Sequence, residues 1–155
     1  MIGVLQSIFA MVATISFAIL FQAPKKELPF CGFTGALGWI IYYILTKNGV
    51  GIVFSSAISS FVLAIFARCF AVLRKKPVTL YLLPGIFPLV PGAGIYYTAY
   101  YVFTGENTMA SSKGIETFEL AGAIVIGIIF ASAIPQKVFH KVHSIREKEE
   151  QETLS

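Results

Sequence analysis

Runs of apolar residues alternate with short polar breaks along the chain. A helix crossing ~30 Å of hydrocarbon needs about 20 mostly apolar residues. Five runs meet or approach that length: Ile2–Phe21, Phe30–Thr46, Val50–Val72, Val78–Phe103 and Thr117–Pro135. The second is short at 17 residues, and the third holds one charge, Arg68. Between them lie QAPKKEL (22–28), KNG (47–49), RKKP (74–77) and a polar stretch from Thr104 to Lys113. The pattern predicts an all-α integral membrane fold: five transmembrane helices within residues 1–136, then a charged cytosolic tail over 137–155. The first run has no basic leader and no small-residue cleavage site, so it reads as a retained span rather than a signal peptide.

Composition sharpens this picture. Hydrophobic residues make up 56% of the 155 and charged residues 13%, there is no Asp, and the mean hydropathy is +0.76. A soluble domain carries about 25% charged residues, so an ordinary soluble enzyme and a disordered tail are both excluded. The net charge of +4 does not point to nucleic acid, because the basic residues form no stripe. They cluster in the breaks, where membrane topology puts them. With five spans, one side holds Lys25, Lys26, Arg68, Arg74, Lys75, Lys76, Lys137, Lys141, Arg146 and Lys148, and the other only Lys47 and Lys113. That ten-to-two split places the N-terminus outside and the C-terminus in the cytosol. If the fourth run were re-entrant the split would fall to seven against five. Arg68 follows 18 residues of its run, so it is expected to snorkel to the inner headgroups, the alternative being a role in a polar pathway. Cys31 and Cys69 show neither disulfide nor metal spacing and read as small buried apolar residues.

The fourth run carries the most information. It reads VTLYLLPGIFPLVPGAGIYYTAYYVF, with Pro84, Pro88 and Pro91 and three glycines between Pro84 and Gly94. Each proline deletes a backbone hydrogen bond and clashes with the preceding turn. A break is therefore expected from about 9 Å to about 24 Å into the membrane at ~1.5 Å per residue, which brackets the midplane. Broken helices at that depth build substrate sites in many transporters. The outer half-helix would aim its N-terminus at the membrane centre, where its dipole and free amides favour a carboxylate. The candidate binding residues are Pro84, Gly85, Pro88, Pro91, the amides of Gly92, Ala93, Gly94 and Ile95, and the hydroxyls of Tyr96 and Tyr97. The competing reading is a proline kink that serves helix packing. Tyr96, Tyr97, Tyr100 and Tyr101 also suit an interfacial aromatic belt.

The remaining features are weaker. Gly32, Gly35 and Gly38 recur every three residues, and Ser55/Ser59 and Ser56/Ser60 are spaced by four, as close helix packing requires, the alternative being a polar lining of a permeation path. Glu116 and Glu119 are placed at the N-terminus of the fifth span, where acids suit the dipole, with Glu119 a weak candidate for proton coupling. His140 and His143 sit in the basic tail with no ligand partner. No nucleophile–base pair, metal-ligand cluster or phosphate loop is present. The chain is expected to be no enzyme and to need no metal or cofactor.

The segments PGIFPLVPGAGIYYTAYYVFTGE (84–106) and FQAPKKELPFCGFTGALGWIIY (21–42) resemble the small subunit of the threonine/serine exporter (ThrE-type) family. The similarity extends to the small YjjB-type succinate export protein. The resemblance covers essentially the whole chain, and the PGxxPLVPG block at Pro84, Gly85, Pro88, Pro91 and Gly92 is its most specific part. It implies an inner-membrane secondary exporter of threonine/serine or small dicarboxylates. A larger family partner would carry its own spans and a hydrophilic N-terminal domain. Two alternatives stay open: a non-transporting subunit that stabilises or localises a partner, and a self-sufficient homo-oligomeric channel. The partners implied are the large subunit, membrane lipid and a carboxylate-bearing substrate, with no nucleic acid.

Overall fold

The computed structural model describes residues 2–135. The predicted tail, with His140 and His143, lies outside the described residues. Among those residues there are six α-helices and no strand: α1 (Ile2–Leu20), α2 (Leu28–Lys47), α3 (Ile52–Arg74), α4 (Thr79–Ile86), α5 (Gly92–Phe103) and α6 (Asn107–Ala133). Short 3₁₀ turns cover Lys25–Glu27 and Phe87–Leu89. Four helices are long and apolar enough to cross a membrane, and a bent pair, Thr79–Leu89 with Gly92–Phe103, brings the number to as many as five. The tight turns after α2 and α5 rest on Gly49 and Gly105, at φ 81° and 80°, a region that L side chains avoid.

The helices pack in the order α1, α2, α3, α6, α5, with α4 wedged against α1, α2 and α3. The interior is made of small side chains. Ala18, Cys31, Ala67 and Ala71 surround Tyr81 in one cluster, and Leu63, Leu89 and Ile124 form a second. Large apolar residues point outward instead, Phe103 and Phe118 most of all. Lipid is as apolar as leucine, so close packing of small residues holds such helices together. The expected small-residue faces do this. A Cβ on Gly32 would run into Met11 and Ile15 of α1, one on Gly35 into Thr14, and one on Gly38 into Leu63 of α3. Ser55, Ser56, Ser59 and Ser60 are all buried. Where α3 meets α6, Gly127 lies directly on Ser60 and the Ala57 carbonyl.

Two expectations need correcting. The last helix begins at Asn107, not Thr117, and the non-helical part of the polar stretch is only residues 104–106. Hydropathy marks only where a helix enters hydrocarbon, and nothing in NTMASSKGIE stops a helix from starting earlier. Glu116 and Glu119 consequently sit well inside α6 rather than at its N-terminus. The break is also narrower than expected, because Pro84 lies within α4. A proline leaves the carbonyl four residues back without its amide, here that of Leu80. The Cys31 thiol fills the gap, donating to the Leu80 oxygen at 3.3 Å. Cys31 is thus a weak donor with a task, not only a small apolar residue. Arg68, whose expected snorkelling this contact leaves open, is half-buried and donates from Nη1 to the carbonyl of Ala131 in the last turn of α6. It joins α3 to a helix C-terminus, where positive charge is favoured.

Candidate functional site

The chain turns between α4 and α5 through Phe87–Leu89, an extended Val90 (φ −60°, ψ 130°) and Pro91 (φ −76°, ψ 60°), and the axis bends by 54°. Prolines at 88 and 91 set this path, since neither offers an amide to continue a helix. Of the four amides opening α5, Gly92 donates to Val90 (2.7 Å) and Ile95 to Pro91 (3.1 Å). Those of Ala93 and Gly94 have no backbone acceptor among the described residues. The first turn of a helix always leaves such donors.

Beside the break is a cavity of about 170 Å³. Pro88, Pro91, Gly92 and Ala93 contribute from the break, Trp39 and Tyr42 from α2, Ser56 from α3 and Leu120 from α6. Drug-sized ligands occupy pockets of ~300–1,000 Å³, so this one suits a much smaller molecule. The indole Nε1 of Trp39 is buried with no hydrogen-bond partner, as is the Ser59 hydroxyl one turn along from Ser56. Buried donors without acceptors are rare and costly, and in hydrocarbon no water makes up the loss. A second, more open cleft of about 590 Å³ shares Val90 and Pro91 with it and lies between α5 and α6. Its lining is almost wholly apolar, with Ile95, Phe118 and Val125 prominent.

The residues singled out from sequence divide among these places. Pro88, Pro91, Gly92 and Ala93 line the small cavity, and no atom would meet a Cβ on Gly92 within 4 Å. Gly94 instead backs onto the Thr117 side chain of α6. Ile95 lines the apolar cleft. Pro84 and Gly85 are buried away from both, with Gly85 beside the Thr34 hydroxyl. Tyr96 and Tyr97 are exposed and stack on Tyr100 and Tyr101 at centroid distances of 6.4 and 6.3 Å. Glu119 is exposed on α6 and lines neither cavity. Sequence reasoning missed Trp39 and Tyr42, and it reads Ser56 first as a packing residue. One signal was available: the chain's single Trp falls near the middle of its span, not at the interface where tryptophans gather.

A polar cluster that the sequence did not reveal closes the opposite end of α4. Glu27, only 4% exposed, accepts two bonds from Arg74, at 3.0 Å from Nε and 2.9 Å from Nη2, and a third from the Tyr81 hydroxyl at 2.7 Å. The two-pronged guanidinium–carboxylate pair is a strong, orienting contact. It ties the connector after α1 to the end of α3 and the start of α4. Arg74 also lies over the Phe30 ring at 4.6 Å. Its sequence trace is that Glu27 is the one acid in the first 105 residues.

The threonine/serine exporter family, ThrE, matches residues 6–134. An uncharacterized protein of Haemophilus influenzae is 22% identical over 138 residues, covering 86% of this chain and 46% of its own length. The chain thus spans about half the length of this curated relative. No solved structure matches. With the family match covering most of an all-helical, span-rich chain, the protein belongs to the threonine/serine exporter (ThrE) family.

Proposed function

We propose that this chain is one membrane half of a two-component secondary exporter, moving threonine/serine or a small dicarboxylate such as succinate across the bacterial inner membrane with a larger family partner. Its coarser basis, membrane transport of the threonine/serine exporter type, follows from the family. The observation that carries the finer reading is the small cavity at the α4–α5 break. There the Ala93 amide, at the positive end of a 12-residue helix, and the Trp39 indole from α2 are donors without acceptors. A carboxylate satisfies such donors, and all the named substrates have one. Binding involves Pro88, Pro91, Gly92 and Ala93 directly. Pro84, Gly85, Gly94 and Ile95 hold the break in shape.

The bent pair is one crossing, the fourth of five. Two facts support this. A re-entrant loop reverses direction, whereas this chain turns by 54°. At ~1.5 Å per residue, residues 79–89 advance about 16 Å and α5 adds about 11 Å along the same direction. The total of roughly 27 Å is close to the ~30 Å of hydrocarbon. The break then falls inside the bilayer.

Efflux of labelled threonine, serine and succinate from reconstituted vesicles, with and without the larger family member, tests the reading. Export of at least one of them is expected only when both are present. Export by this chain alone overturns the two-component reading, and export of none by the pair overturns the substrate class.

A further inference from the structure

We propose that the outward face of α6 around Glu119 and Gly122 is the surface on which the complementary half of the exporter docks, and that this half supplies a cation or strong hydrogen-bond donor to the Glu119 carboxylate. The inference rests on the half-exporter reading and assigns the surface that reading leaves open.

The first observation is depth. α6 has 27 residues and is about 40 Å long, some 10 Å more than the hydrocarbon. With its C-terminal end flush with one boundary and its polar first turns outside the other, Glu119 lies about 9 Å inside that second boundary, within the apolar layer. Glu116 has its charge met by Lys113 at 2.7 Å. One turn deeper, Glu119 forms no ion pair or hydrogen bond among the described residues and is exposed. A carboxylate at that depth does not face lipid; it faces protein or a wet cavity.

The second observation is the shape of the face. Ile115, Glu119, Gly122 and Ile126 repeat at spacings of four, three and four along one stripe. Ile115 and Ile126 are exposed, and a Cβ on Gly122 would meet nothing within 4 Å. Every other glycine within α2, α4 and α6 is packed on a neighbouring element. Gly122 leaves room for a helix to approach closely, as small residues do at membrane interfaces. The apolar cleft between α5 and α6, with Phe118 and Val125, continues the same surface. α5 touches α6 alone at length and has no buried residue. The occupant is identified by size and charge. The curated relative carries more than as much chain again beyond the matched part, and only a positively charged or donating partner complements a lone carboxylate.

The test places a photo-crosslinking phenylalanine analogue at Ile126 in native membranes, with Phe9 on α1 as the control at the far end of the helix order. A covalent adduct with a larger membrane-spanning member of this family is expected from Ile126 and not from Phe9. An adduct between two copies of this chain, an adduct from Phe9 alone, or no protein adduct from Ile126 overturns the proposal. Glu119→Lys is expected to reduce partner recovery in mild detergent at least fivefold, and undiminished recovery overturns the charge assignment. Gly122→Leu supplies an uncharged check at a position open to space, and is expected to weaken recovery while the chain itself stays monodisperse. If efflux requires the partner but Ile126 stays silent, the surface is wrong and the half-exporter reading stands. Efflux by this chain alone removes both.

Discussion

At the residue scale the informative groups are donors and acceptors that the bilayer will not satisfy. Pro84 orphans the Leu80 carbonyl, and the Cys31 thiol takes it. Cys31→Ala should leave that buried oxygen bare, at a cost of about 1–3 kcal/mol. Cys31→Ser should keep most of the stability, which thermal unfolding in detergent can compare. Equal losses in the two variants would show that the thiol acts by filling space. Trp39 offers the inverse case, a buried donor awaiting an acceptor. If that acceptor is the substrate carboxylate, Trp39→Phe removes one hydrogen bond to a charged group, worth about 1.5–3 kcal/mol. The substrate concentration for half-maximal efflux should then rise about tenfold or more, with folding intact. An unchanged value would place the carboxylate elsewhere. Neither residue's role was legible in the sequence, since each depends on a helix that follows tens of residues later. The Pro88–Ala93 stretch was legible, because prolines announce a break wherever they fall.

At the level of elements, apolar run length found α1 to α3 to within a few residues. It failed at the start of α6, since a polar helix outside hydrocarbon looks like a loop to hydropathy. It also could not tell what a glycine is for. Gly92 and Gly94 look alike in the sequence, yet one meets open space and the other the Thr117 side chain. Gly92→Ala should therefore insert and fold normally, so any loss of efflux reports on the cavity. Gly94→Ala should push α5 away from α6 and lower the unfolding temperature. The double variant Gly94→Ala/Thr117→Ala should recover most of that loss, because the hydroxyl is the nearest obstacle. A double variant no more stable than Gly94→Ala would mean that the α5–α6 contact is set by something other than this pair.

For the whole molecule, the number of crossings decides the transport geometry. If α4 and α5 form one bent crossing, the chain has five spans and its ends lie on opposite sides. A partner half that also has five spans, with its N-terminus in the cytosol, would then run in the opposite sense. That is the inverted-repeat plan of many secondary transporters, with substrate between the halves near the midplane. The ten-to-two division of Lys and Arg and the 54° bend both favour this count. A re-entrant pair would reverse everything after it. The two arrangements are separated by labelling intact cells with a membrane-impermeant maleimide, in a background with Cys31→Ser and Cys69→Ser. Asn48→Cys faces outside in both and serves as the control. One bent crossing predicts that Thr108→Cys is labelled and Gln151→Cys is protected. A re-entrant pair predicts the opposite at both sites. Labelling at Gln151→Cys would therefore place the C-terminus outside, abolish the inverted pairing with a five-span partner, and move the α4–α5 break from the middle of a crossing to the tip of a loop.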